Sequence, residues 1–150
     1  QQLRQFPLTR ALRVDKVTLA GLQATLLHYL QDEAISKIPT WQMIARRPEE
    51  LHDVASRWAG ELQTRGVPAS VAPGESTVGG GSLPGATLPT WCVALDGPSP
   101  DELARRLRER RPAVVAIIKE GRLLIDPRTV QAGEEATLLD ALTEVCGCSY

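Results

Sequence analysis

The sequence predicts an α+β domain, an α/β sandwich with helices packed on a mainly antiparallel sheet. Three observations carry this reading. Helix-period apolar stripes occupy the chain up to Gly66. Short runs rich in valine, isoleucine and leucine follow, separated by glycine and proline clusters. Helical patterns then stand between and after those runs without the strict strand-helix alternation of a parallel sheet. The 150 residues suffice for one buried core, and 17 basic against 18 acidic side chains give no net-charge argument for a nucleic-acid or membrane surface. A 43% hydrophobic content fits a folded globule, no apolar run reaches the length of a membrane span, and no signal peptide is legible.

In chain order, Leu19, Leu22, Leu26, Tyr29 and Leu30 recur at helical spacing, giving a helix over 18–30 with a face to bury and Thr18 or Asp15 as its cap. A short segment from Glu33 to Lys37 stops at Pro39, and Thr40 opens a further turn through Trp41, Met43 and Ile44. Pro48 suits a first helical position, with Glu49 and Glu50 complementing the positive end of the dipole. Leu51, Val54, Ala55, Trp58 and Leu62 continue that helix to Arg65, where Gly66 supplies a left-handed stop. A strand is expected over Val67 to Ala72, then a loop from Pro73 to Pro89, then a strand from Trp91 to Leu95. Ser99-Pro100-Asp101-Glu102 reads as a capping box opening a helix whose buried face is Leu103, Ala104 and Leu107. The apolar run from Ala113 to Ile118 reads as a central strand covered on both faces. Glu120-Gly121 turns it into a hairpin with Arg122 to Asp126, and a helix from Gly133 to Val145 closes the chain.

Three segments have the chemistry of a binding site. In Pro7-Leu8-Thr9-Arg10-Ala11-Leu12-Arg13-Val14-Asp15-Lys16, Arg10 and Arg13 share a face if the stretch is helical and are then placed to grip one oxyanion, phosphate being the natural guest. An exposed charged turn neutralised by Asp15 explains the same residues. In Gly74-Glu75-Ser76-Thr77-Val78-Gly79-Gly80-Gly81-Ser82-Leu83-Pro84, successive glycines let backbone N–H groups approach an anion, although no P-loop ending is present; a plain surface loop is the alternative. In Gly121-Arg122-Leu123-Leu124-Ile125-Asp126-Pro127-Arg128-Thr129, Arg122 and Asp126 alternate onto one strand face, where an edge-strand ion pair with each other or with Arg128 is the simplest account.

Trp41, Trp58 and Trp91 fall on apolar faces and read as core. His28 and His52 stand alone, and Cys92, Cys146 and Cys148 form no CxxC pair, so they read as reduced thiols and no metal site is expected. No Ser/His/Asp or Cys/His catalytic set is legible, and none of Lys16, Lys37 and Lys119 occupies an evidently buried position.

Taken in order, the three segments resemble the bacterial selenocysteine synthases, the L-seryl-tRNA(Sec) selenium transferases. The carrying residues are Pro7 to Lys16 with Thr18-Leu19-Ala20, Gly79 to Pro84 with Leu88-Pro89, and Gly121 to Asp126 with Arg128-Thr129; the likeness runs over roughly residues 5 to 145. It implies a fold-type I enzyme that depends on pyridoxal phosphate, a cytoplasmic ring-shaped homo-oligomer acting on seryl-tRNA(Sec) with selenophosphate as selenium donor. The family's cofactor-bearing lysine belongs to a Gly-Asp-Lys-type motif upstream of the Pro-Leu-x-Arg-Ala-Leu-Arg segment. The chain, opening on Gln1, is therefore expected to be a C-terminal portion without catalytic residues, inactive alone, its parent's tRNA contacts lying in an N-terminal region.

By that resemblance, residues 1–30 are the end of the large cofactor-binding domain with its connecting helix, and 31–150 are the small domain, of which the stretch from about Pro48 onward is expected to fold alone. Arg10 and Arg13 match the arginines proposed to hold the donor's phosphate-like group, and Gly79, Gly80, Gly81 and Ser82 are expected near the mouth of the site. Val115-Ala116-Ile117-Ile118 departs from the family's usual Ile-Gly-Arg-Ile, and Pro127 stands where leucine is usual. An apolar Ile117 cannot bind an anion, which leaves a related pyridoxal-phosphate-dependent ammonia-lyase, or a non-catalytic anion-binding module, as the alternatives.

Overall fold

The computed structural model describes residues 8–79, 85–97 and 99–147, with the side chains of Arg10 and Ala11 excepted. The chain divides into two compact units, Gln1–Gln42 and Met43–Tyr150.

The first unit is helical. Helix α1 spans Leu8–Ala11, α2 Lys16–Leu30 and α3 Ala34–Lys37, and α4, Pro39–Ala45, begins in this unit. Asp15, not Thr18, caps α2: its carboxylate accepts the N–H groups of Val17 and Thr18 at 2.8 and 2.9 Å and the Thr18 hydroxyl at 2.7 Å. The Thr18 side chain and backbone hydrogen bonds hold the Asp15 carboxyl below its usual range. Asp15→Ala is expected to fray the first turn of α2, seen as lower helicity by circular dichroism and faster amide exchange over 16–19. No residue of α2 is buried; Leu19, Leu22 and Leu26 are each about half exposed and Val17 and Leu30 are 82% exposed. Its apolar residues surround the helix on all sides, the pattern of a helix covered in a larger body. Trp41, expected in a core, is 38% exposed and donates its indole N–H to the Tyr29 hydroxyl at 2.6 Å.

In the second unit, α5 spans Pro48–Thr64, with Pro48 in its first turn beside Glu49 and Glu50. Leu51, Ala55, Trp58, Ala59 and Leu62 form its buried stripe, Val54 packs beside them half-buried, and Gly66 ends the helix at φ 79°. Strands β1, Ala69–Thr77, and β2, Thr87–Leu95, pair antiparallel from Ala69 opposite Leu95 to Thr77 opposite Thr87. The arms are thus longer than the sequence predicts and the loop between them shorter, because Pro73, Gly74 and Pro89 lie inside strands. Pro73 is tolerated because β1 is a sheet edge, and Pro89 because β2 meets its second neighbour only from Val93 onward. Gly74 permits close packing: a Cβ there would sit 3.0 Å from the Cys92 sulfur.

Helix α6 is Pro100–Glu109, β3 Ile117–Lys119, β4 Arg122–Ile125 and α7 Glu135–Gly147. The sheet order is β1-β2-β4-β3, antiparallel throughout. The Ser99 side chain makes no capping bond; Glu102, its expected capping-box partner, is held instead by Arg105 one turn on, at 2.6 and 2.8 Å. The expected central strand over 113–118 is corrected as well. Only Ile117–Lys119 pairs, at the outer edge, with Ile117 54% and Val115 78% exposed. Its apolar composition meets the criterion for a covered strand, but Val114 and Ala116 alone pack against the core, the Val114 N–H bonding the Leu107 carbonyl of α6, and the paired residues Ile117, Ile118 and Lys119 all stay exposed. Val93, Leu95, Leu123 and Ile125 alternate onto one sheet face and meet the buried stripes of α5, α6 and α7, while Cys92, Ala94 and Leu124 form a small cluster on the other face. This is the expected α+β architecture.

Candidate functional site

The N-terminal arginines do not lie along one continuing helix. Helix α1 ends at Ala11, Leu12 closes the turn with an N–H bond to the Leu8 carbonyl, and Arg13 follows in non-helical backbone with its side chain exposed. The Arg10 side chain lies outside the described residues, as do Gly80, Gly81 and Ser82 of the glycine-rich segment. Gly79 ends the first arm of the hairpin in the left-handed region at φ 65°, just after the Val78 N–H bonds the Ala86 carbonyl.

The most organised polar feature lies beneath that hairpin. Ser76, Thr90, Asp126 and Arg128 are each 8% exposed or less. Asp126 caps a 3₁₀ turn over Pro127–Thr129, accepting the Arg128 N–H at 2.9 Å. It also accepts the Ser76 hydroxyl at 2.5 Å and the Thr90 hydroxyl at 2.8 Å. The Ser76 oxygen in turn accepts Arg128 Nε at 3.0 Å, so one hydroxyl bridges the two buried charges. The remaining guanidinium nitrogens donate to the carbonyls of Met43, Arg46 and Pro89 at 3.0, 2.8 and 2.7 Å. Arg46 returns the contact by donating to the Pro127 carbonyl. Burial pushes the Arg128 guanidinium down from its ordinary value and the Asp126 carboxylate opposes that shift.

The expected edge-strand ion pair is therefore not formed. Arg122 lies on an inner strand and donates to Asp96 at 2.9 Å and to the Ser70 hydroxyl at 2.6 Å, whereas Asp126 faces Ser76 and Thr90 toward the loop end of the hairpin. The partners of Asp126 are spread over fifty positions; a strand-terminal Asp-Pro-Arg is the only local signal that Asp126 would cap a turn.

Among the described residues no group of three His, Cys, Asp or Glu side chains is placed to hold a metal. His28 meets Glu33 at 3.2 Å, and His52 packs edge-on against Trp91 with centroids 4.7 Å apart. Cys92 is 3% exposed, and burial, aided by the Asp126 charge, pushes its thiol up to about 11. Because the thiol's folded value lies above its free value of 9.0, Cys92 supports the fold below pH 9 and the support is lost as pH rises toward 11. A urea-midpoint titration across that range is expected to fall, and to fall less in Cys92→Ala. Lys16, Lys37 and Lys119 are all exposed, so none offers the enclosed amine that a pyridoxal phosphate cofactor requires; the described residues do not by themselves fit that group. No described helix is long and apolar enough to cross a membrane.

Fold and site together define an α+β domain whose sheet is locked by a buried polar centre and which follows an apolar, arginine-bearing helical segment. The chain belongs to the SelA family: the family model for L-seryl-tRNA selenium transferase matches residues 1–131. It is 40% identical over 149 residues to the L-seryl-tRNA(Sec) selenium transferase of Clostridium perfringens, covering 96% of this chain and 32% of that protein. It is 41% identical over 150 residues to that of Geobacter sulfurreducens and 42% over 152 residues to that of Solidesulfovibrio magneticus, again covering 95% and 96% of this chain and 32% of each relative. The chain thus spans about a third of the length of these relatives.

Proposed function

We propose that this chain is the C-terminal portion of a pyridoxal-phosphate-dependent enzyme that converts seryl-tRNA(Sec) to selenocysteinyl-tRNA(Sec) with selenophosphate. The observation that carries the reading is family membership over most of the chain together with coverage of only a third of each relative. The names of the relatives favour selenium transfer over the ammonia-lyase and binding-module alternatives. Helix α2 supports a larger parent, since its uncovered leucines would be costly to leave in water along a whole helix. In this reading residues 1–30 end the large cofactor-binding domain and 31–150 form the small one. The cofactor and its lysine are supplied by the rest of a cytoplasmic homo-oligomer, and the chain alone is inactive.

The part assigned to this chain is electrostatic. A selenophosphate donor carries several negative oxygens, and guanidinium groups neutralise such a group with paired, charge-assisted hydrogen bonds. Arg10 and Arg13 take that role, with the segment Gly79 to Ser82 near the mouth of the site. In the full-length enzyme, Arg10→Ala and Arg13→Ala are each expected to raise KM for selenophosphate by about 10- to 100-fold, the loss of one charged hydrogen-bonding partner. Cofactor absorbance and affinity for seryl-tRNA are expected to be unchanged. An unaltered KM for the donor in both variants overturns the assignment, and absence of selenium transfer by the full-length wild type overturns the function.

A further inference from the structure

We infer that Arg128 is a positioning residue that couples the loop end of the β1–β2 hairpin to the junction between α4 and α5, so that the two respond as one body. The junction is where the second compact unit begins, at Met43. Helix α4 ends at Ala45 and α5 starts at Pro48, and a helix end leaves its last carbonyls without intrahelical donors. Here the donor comes from 85 and 82 positions away: one terminal nitrogen of Arg128 serves both Met43 O and Arg46 O, a cation at the negative end of α4. The same guanidinium holds Pro89 O on β2 and Ser76 Oγ on β1. In the register these residues stand next to one another, Ser76 opposite Leu88 and Glu75 opposite Pro89, one and two rungs from the Thr77–Thr87 pair that precedes the loop.

A planar fork with four acceptors on three separate elements cannot follow one and abandon another without leaving a buried N–H unpaired. The Ser76 hydroxyl completes the coupling, because Asp126 fixes the hydroxyl and the hydroxyl fixes Nε. On the upstream side of Met43 the ties are of another kind. Trp41 to the Tyr29 hydroxyl and Gln42 to the Ser36 carbonyl are single exposed bonds that water can replace. The carbonyls at the end of α4 are thus tied to the hairpin by buried, charge-assisted bonds of a different order. The inference deepens the proposed function only by saying what holds the loop end of the hairpin and the junction together; its test does not depend on the reaction.

The test is amide exchange, read by mass spectrometry on the 150-residue chain. Ser76→Ala touches no atom of segment 43–47, yet it is expected to speed exchange there by about 3- to 10-fold together with segments 74–78 and 86–90. Segments 54–62 and 138–145 stay within about twofold. Arg128→Lys, which keeps the charge and loses the fork, is expected to give the same pattern with a larger amplitude. A rise in 74–78 with 43–47 unchanged in Ser76→Ala overturns the coupling, as does a uniform rise over all of 43–147, which is what loss of a merely structural contact produces. Should Arg128→Lys not fold, Ser76→Ala decides alone; should the selenium-transfer reading fail, this result stands or falls unaffected.

Discussion

Arg128→Met, which keeps most of the side chain's apolar stem and removes the guanidinium, is expected to destabilise the Met43–Tyr150 unit by about 3–5 kcal/mol, measured by urea unfolding. The size of the effect comes from what remains behind. The Asp126 carboxylate keeps its burial and its three donors but loses the only cation joined to it through Ser76, and three main-chain carbonyls lose a charged donor. The double variant Asp126→Asn/Arg128→Met is expected to recover part of that loss, since the abandoned charge is then gone. A loss below about 1 kcal/mol in the single variant would place the pair with ordinary surface ion pairs and contradict the burial seen here.

Leu123→Ala is expected to cost about 3–5 kcal/mol, near the upper end for a leucine truncation. Leu123 is fully buried on β4, with paired neighbours on both sides, Leu95 of β2 and Ile118 of β3, so the backbone around the cavity cannot relax inward. Ile117→Ala, six positions earlier in what reads as the more hydrophobic strand, is expected to change stability by less than about 1 kcal/mol because that side chain is already half in water. Thermal or urea melts of the two variants side by side test the sheet order directly. Equal losses would mean that β3 is a covered strand after all.

That contrast shows where the sequence was legible. Helix α5 could be read in full because every cue to it is local: Pro48 at its start, glutamates in the first turn, a helical stripe from Leu51 to Leu62, and Gly66 at its stop. The hairpin reads shorter in sequence than it is because Pro73, Gly74 and Pro89 resemble turn residues until their neighbours are known. Only the strand order makes the prolines harmless, and only the Cys92 sulfur explains the glycine. For the candidate site the same division holds. The arginine, glycine and Asp-Pro-Arg segments stand out by composition, whereas the lock made by Ser76, Thr90, Asp126 and Arg128 depends on antiparallel pairing that brings residue 76 beside residue 126.

The two borders of the sheet are not equivalent, and this bears on handling the chain in solution. Along β1 the row of free donors is interrupted by Pro73 and the charged Glu75 stands nearby, so another strand gains little by adding there. Along β3 the approach carries exposed Val115, Ile117 and Ile118, with Lys119 as the one charge in the strand. Concentrated solutions of the chain are thus expected to thicken from the β3 side. Ile117→Lys should raise the concentration at which light scattering still reports monomer, and a lysine placed on β1 should not.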